Sequence, residues 1–168
     1  IGVRLVGSEM CIRDRIYTDY SYFTAHPEIT QEVAQVFDFI DHSYRPFTFN
    51  HLIVSPLNSR KRIKELIKHE IRLAQAGKPA YIHMKVNNLC DNPIAKLLCK
   101  AAESGVEVKL IVRGMCSLRM EDENVSDKII IHSIVDRFLE HARVMIFGND
   151  GDPKVYITSA DLMKRNID

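Results

Sequence analysis

At 168 residues, 46% apolar and 27% charged, the chain has the composition of one globular α/β domain or two small ones, long enough to bury a core. Its formal net charge of +1 gives no strong pull toward nucleic acid or an acidic membrane, and no run of about 18 apolar residues is present to span a bilayer. Four cysteines (Cys11, Cys90, Cys99 and Cys116) form neither a CxxC pair nor a ligand spacing with histidine, which argues against a zinc site and suits a reducing, cytoplasmic setting.

Residues 1–15 read unlike the rest. The run Met10-Cys11-Ile12-Arg13-Asp14-Arg15 resembles a translated transposon end of the kind used to prepare sequencing libraries, so the segment is expected to be an artefact fused to a truncated reading frame. Setting it aside leaves 20 basic and 20 acidic residues. The native sequence is then expected to start near Ile16 and to be a fragment at both ends.

From 27 to 41, Val33, Val36, Phe37 and Ile40 recur at helical spacing and predict an amphipathic helix. Residues 42–49 read as a connection, and Leu52-Ile53-Val54 as a short buried strand closed by Ser55-Pro56. The clearest helix follows, capped by Asn58 or Ser59, with Ile63, Leu66, Ile67, Ile71 and Ala74 on one stripe and Gly77 at its end. Arg60, Lys61, Arg62, Lys64 and Lys68 crowd this helix and read as a solvated face, with a polyanion-tracking surface as the alternative. A strand over 80–85 leads to a second helix, capped by Asp91 or Asn92 with Pro93 in its first turn and Gly105 at its end. In 106–112, Val106, Val108, Leu110 and Val112 alternate with Glu107 and Lys109, as in a half-buried strand. Further strands are expected over 129–131, 143–147 and 155–158, with a turn at 148–151. Alternating strands and helices with short joints predict an α/β fold with a mostly parallel sheet flanked by helices.

In open α/β sheets ligands collect beyond the carboxyl ends of the strands. Those ends deliver Lys85 with Asn87, Asn88 and Asp91; Arg113 with Gly114; and Ser159 and Asp161, with Lys164, Arg165 and Asn166 a turn later. Cations with hydroxyl and amide donors suit a phosphorylated ligand. No P-loop and no Rossmann glycine pattern occurs, so a nucleotide would be held by side chains. Of the seven histidines His141, beside Arg143, is the one to weigh: from spacing alone it reads as a satisfied structural histidine, with proton exchange or a phosphoryl carrier as the alternative. His83-Met84-Lys85 imitates an HxK motif but lies within a predicted strand, and Asp91 falls one residue too late for HxK-x4-D.

Several segments together resemble polyphosphate kinase, a phospholipase-D-like family that moves phosphate between ATP and inorganic polyphosphate. They are Tyr17-Thr18-Asp19, Lys85-Val86-Asn87-Asn88-Leu89 with Asp91, and Leu110-Ile111-Val112-Arg113-Gly114-Met115-Cys116-Ser117-Leu118. The longest is Ser133-Ile134-Val135-Asp136-Arg137-Phe138-Leu139-Glu140-His141-Ala142-Arg143, followed by Tyr156-Ile157-Thr158-Ser159-Ala160-Asp161 with Met163 and Arg165-Asn166. The resemblance implies a phospholipase-D-like fold, with 16–49 ending a preceding half and its linker and 50–168 forming a truncated C-terminal domain. It implies transfer of the γ-phosphoryl of ATP through a phosphohistidine on one half, with a second histidine on the other half assisting.

Carried over by position, His141 matches the assisting histidine, Arg113 a phosphate-binding arginine and Tyr17 a nucleotide-contacting tyrosine. Lys85, Asn87, Arg143, Ser159, Asp161 and Arg165 are supporting phosphate-site candidates. The resemblance further implies ATP, ADP and polyphosphate as partners, no nucleic acid, and a homo-oligomeric cytoplasmic parent with peripheral membrane association left open. Mg2+ is the implied cofactor, with ligands upstream and no metal ligand within this chain. The phosphorylated histidine lies upstream of YTD in the family and nothing in residues 1–15 supplies it; Leu162 stands where the family often has Trp. The fragment is therefore expected not to turn over alone. The alternatives are a non-catalytic nucleotide- or polyphosphate-binding domain and another phospholipase-D-like phosphodiesterase.

Overall fold

The computed structural model describes residues 17–118, 128–134 and 139–168. The anomalous segment 1–15 and residues 135–138 of the longest motif lie outside them.

Helix α1 (Pro27–Asp41) opens with proline in its first turn and Glu28 beside the unpaired N–H groups. The helix forms as its spacing predicts, but its stripe is not core: Val33, Phe37 and Ile40 are exposed, and Glu32 is its buried residue. The Glu32 carboxylate accepts backbone N–H groups from Asn50 at 2.7 Å, His51 at 3.0 Å and Leu52 at 2.7 Å. The Val54 N–H goes to the Asn58 side-chain oxygen at 2.7 Å. With those donors taken, no strand forms over 52–54, and the expected strand is corrected to a loop. The same bond turns Asn58 away from capping, although it holds the N-cap position of α2 (Ser59–Gln75).

Helix α2 buries Ile63, Leu66, Ile67 and Ile71, and Gly77 takes the positive φ of 73° that ends it. Strand β2 (Tyr81–Val86) leads to α3 (Asn92–Glu103), whose N-cap Asp91 accepts the Ile94 N–H at 3.0 Å, and then to β3 (Glu107–Val112). Ile82, Met84 and Val86 of β2 and Val108, Leu110 and Val112 of β3 face the helices and are buried with Ile94 and Leu98 of α3. Each such side chain contributes about 1.5–3 kcal/mol through its burial. Tyr81, His83, Glu107 and Lys109 occupy the other face. Both helices pack on one side of the sheet and against each other.

The remaining strands are β4 (Ile129–His132), β6 (Arg143–Phe147) and β7 (Lys154–Thr158), giving the order β4-β3-β2-β6-β7. A two-stranded parallel ribbon joins β1 (Tyr17–Thr18) to β5 (Leu139–Glu140). The β4, β3 and β2 joins are parallel, whereas β6 is antiparallel to both β2 and β7. The expectation of a mostly parallel sheet is thus corrected to a mixed one. Only residues 141 and 142 separate β5 from β6. A parallel strand needs a crossover of about a dozen residues, so β6 starts at the edge the chain has already reached and runs back. This places the start of β6 beside the ends of β2, β3 and β7. A short 3-10 turn (Asn149–Gly151) joins β6 to β7, and α4 (Lys164–Ile167) follows β7.

Candidate functional site

The carboxylate of Asp161, just past β7, is the centre of that edge. It is buried and accepts the backbone N–H groups of Asn87 at 3.0 Å and Asn88 at 3.2 Å, the Asn88 side-chain amide at 3.0 Å, and Arg143 Nε at 2.7 Å. Burial by itself would raise its pKa, but the bonds from Arg143 and Asn88 outweigh that and hold it below the usual carboxylate range. Asn88 spends every polar group on this edge. Its side-chain oxygen accepts from the Met115 N–H at 3.0 Å and its carbonyl from the Leu162 N–H at 3.1 Å. The loops after β2, β3 and β7 are thereby fastened together.

Gly114 belongs to the same fastening. Its N–H donates to the Asn87 carbonyl at 2.7 Å, and a Cβ there would lie 2.6 Å from Asn88 Oδ1 and 2.9 Å from the Asn87 carbonyl oxygen. Only glycine allows this approach. It sets Arg113, whose N–H reaches the Val86 carbonyl at 3.3 Å, beside the Asn87–Asn88 turn. Nη1 of Arg113 is buried and has no hydrogen-bond partner among the described residues. A buried guanidinium nitrogen without an acceptor is costly, and an anionic oxygen is its natural complement.

His141 sits between two fixed partners. Its Nδ1 is 2.7 Å from Asp19 Oδ2 and its Nε2 is 3.5 Å from Arg143 Nη2. An ionised carboxylate only accepts and a guanidinium only donates, so Nδ1 presents its N–H to Asp19 and Nε2 faces Arg143. Arg143 Nη1 also donates to the His141 carbonyl at 3.2 Å. The β1–β5 pairing, which sets Tyr17 opposite Leu139 and Thr18 opposite Glu140, carries Asp19 to the histidine. Beside it, Lys85 and Glu140 form an ion pair at 2.5 Å. The Asn87 amide, oriented with its nitrogen to the Glu140 carbonyl at 3.1 Å, turns its oxygen to Arg143 Nη2 at 2.6 Å.

The structure therefore gathers His141, Lys85, Asn87, Arg143 and Asp161, with Arg113 alongside. It does not bring Ser159 and Arg165 into this hydrogen-bonded group: both are exposed, and neither has a side-chain bond to it. Arg143 and Lys85, chosen as phosphate cations, are already paired with carboxylates. His83 lies on the strand face away from the helices, paired with Glu107 at 2.7 Å, as its position inside β2 implied. The partners that sequence reasoning left without roles are Asp19 and Glu140, and Asn88, read among the amides for a phosphorylated ligand, is instead spent on fastening the loops. The signal for Asp19 was its place two residues after Tyr17, but nothing local links it to a histidine 122 residues away. A cavity of about 450 Å³, lined by apolar residues including Leu52, Ile53, Met145 and Leu162, contains none of the gathered groups. Among the described residues no three His, Cys, Asp or Glu side chains cluster so as to hold a metal ion, and no helix is long and apolar enough to cross a membrane.

Residues 52–168 match the family model described as Polyphosphate kinase C-terminal domain 2. The chain is 58% identical over 154 residues to a polyphosphate kinase of Vibrio parahaemolyticus and 55% identical to one of Escherichia coli strain K12. Each alignment covers 92% of this chain and 22% of the relative, so the chain spans about a fifth of the length of the curated relatives it matches. The crystal structure of the polyphosphate kinase from Porphyromonas gingivalis superposes with a TM-score of 0.80 at 40% identity, over 86% of this chain and 22% of that one. The family match covers the three strand ends, the Asp161 knot and His141, and the chain belongs to the polyphosphate kinase family, its residues 52–168 matching C-terminal domain 2.

Proposed function

We propose that this chain supplies one half of the phosphoryl-transfer site of a polyphosphate kinase with phospholipase-D-like architecture. The whole enzyme moves the γ-phosphoryl of ATP reversibly onto the end of a polyphosphate chain. The observation that carries this reading is His141, fixed on both ring nitrogens at the edge where the strand ends converge. In the first step a histidine outside this chain attacks the γ-phosphorus, an N–P bond forms, and the bond to the ADP oxygen breaks. In the second, a terminal polyphosphate oxygen displaces that histidine, ADP having left, and the chain is one phosphate longer.

Nε2 of His141 is the atom able to take up or return a proton at the entering or leaving oxygen, since Asp19 holds Nδ1 at 2.7 Å whereas Arg143 Nη2 stands 3.5 Å from Nε2. Arg113 neutralises phosphoryl charge, because its buried Nη1 lacks an acceptor among the described residues. Arg143 and Asp161 position His141 rather than bind phosphate. Tyr17, as the resemblance implies, contacts the nucleotide. Magnesium would neutralise the nucleotide phosphates, and its ligands are assigned to the rest of the enzyme.

The test is ATP-dependent polyphosphate synthesis by the full-length enzyme carrying this segment, with and without His141→Ala. A loss of about 10²- to 10⁴-fold is expected. Undiminished synthesis would overturn the assignment.

A further inference from the structure

We infer that the outer face of α2, together with the β6–β7 turn, forms a second binding surface for the trailing part of a long inorganic polyphosphate chain. The inference rests on the phosphoryl-transfer reading above. A groove of about 430 Å³ runs between α2 and this turn, lined by Arg62, Glu65, His69, Arg72, Asn149 and Lys154. Arg62 to Arg72 spans ten residues of helix, roughly 15 Å at 1.5 Å per residue. Lys61 and Lys68, both exposed, extend the same cationic face of α2.

The charges of this groove are available. Arg72 and Lys154 are exposed and have no ion-pair partner among the described residues. Arg62 meets Glu65, the groove's one carboxylate, only at 4.0 Å. Other nearby cations are already paired, Arg60 with Asp91 and Asp168 and Lys78 with Asp150. The walls are also held in place. Glu70 of α2, fully buried, accepts the N–H groups of Asn149 at 2.8 Å and Tyr81 at 3.3 Å, which ties the turn to the helix.

Phosphate-rich, base-free chains fit this groove better than nucleic acid does. Proteins that hold single-stranded nucleic acid pair cations with aromatic rings on which bases stack, and among the described residues no Phe, Tyr or Trp lines this groove. Its position adds a length requirement. Asn149 and Lys154 flank the far end of β6, whereas His141 precedes its near end, about 16 Å away along five residues of strand. A short polyphosphate at the site edge stops before the groove, and a long one reaches it.

The experiment measures binding of tripolyphosphate and of long-chain polyphosphate to this chain, its Arg62→Ser/Arg72→Ser/Lys154→Ser variant and its Arg113→Ala variant. Circular dichroism checks the fold of each. The triple variant is expected to lose at least tenfold in affinity for the long chain and none for tripolyphosphate. Its log–log salt slope should fall by roughly two to three, as loss of three cation–phosphate contacts requires. Unchanged long-chain affinity overturns the groove, and so does equal displacement of polyphosphate by single-stranded DNA. Arg113→Ala separates the two readings, because it should weaken both lengths. If only Arg113→Ala has an effect, the groove falls and the site stands; if only the triple variant does, the site falls and the groove stands. Should the triple variant not fold, Lys154→Glu alone, at the exposed start of β7, must still weaken long-chain binding selectively.

Discussion

Arg143 and Asp161 hold each other at the edge of the sheet, Nε to Oδ1 at 2.7 Å, with both side chains buried. The pair joins the start of β6 to the loop after β7, and through Asn87 and Asn88 it also secures the loop after β2. His141 therefore rests on a desolvated ion pair, and its position depends on groups that need not touch a substrate.

Asp161→Ala is expected to destabilise the chain by about 3–5 kcal/mol, because it leaves the Arg143 guanidinium buried without its counter-charge. Urea unfolding measures this directly. A loss below about 0.5 kcal/mol, the level of an ordinary surface change, would show that the knot does not hold the edge together.

The same carboxylate gives a pH dependence with a definite sign. Burial raises the Asp161 pKa, and the Arg143 and Asn88 bonds more than reverse that, so the folded value lies below the ordinary 3.8. Its contribution is fully present above pH 3.8 and is lost as pH falls through the lower folded value. Glu32 behaves likewise below its ordinary 4.5, since burial is outweighed by the N–H groups of Leu52, Asn50 and His51. Urea midpoints should fall with acid in the unmodified chain. Asp161→Asn and Glu32→Gln should each flatten part of that fall. Parallel profiles for all three proteins would contradict this.

Asp19→Asn keeps the shape but replaces an acceptor-only group with an amide that can present a donor to Nδ1. The Nδ1–H tautomer of His141 should lose its preference, which nitrogen-15 shifts of the imidazole would show. In the full-length enzyme, synthesis is expected to fall by about 10²-fold, with the fold unchanged because Asp19 is exposed. An unchanged tautomer would mean that Asp19 does not orient the ring.

Gly114→Ala pushes a methyl group against Asn88 Oδ1 and the Asn87 carbonyl. The cost is about 1–3 kcal/mol, and because the Asn87 oxygen is backbone the loop itself must move. Arg113 moves with it, so weaker tripolyphosphate binding should accompany the lower urea midpoint. Weaker binding without destabilisation, or the reverse, would separate Gly114 from the positioning of Arg113.

Glu32→Ala should release the N–H groups of residues 50–52, and hydrogen exchange at those amides should speed up while exchange in β2 and β3 does not. Unchanged exchange at 50–52 would mean that other acceptors hold that loop.

The elements that carry the core were legible because their signals are local. The alternation of Val108, Leu110 and Val112, the α2 stripe of Ile63, Ile67 and Ile71, the Asp91 cap and the turn-forming Gly77 and Gly105 are each decided within a few residues. Strand ends are legible too, which is enough to bring Arg113, Lys85 and Asp161 to the sheet edge without knowledge of their surroundings. The motif runs carried the family, because family resemblance depends on residue order alone. Where polar groups find their partners is different, since that is settled by whichever donors and acceptors the fold brings within about 3 Å. No local pattern says that Glu32 will take the donors of 50–52 and prevent a strand, that Arg143 and Lys85 will be paired with carboxylates, or that Asp19 will reach His141 across 122 residues. The direction of β6 was likewise decided by where the chain stood after β5. The sequence by itself determined which residues arrive at the sheet edge; the tertiary structure decided which of them are already bound to one another and which, like Arg113, have a buried hydrogen without an acceptor among the described residues.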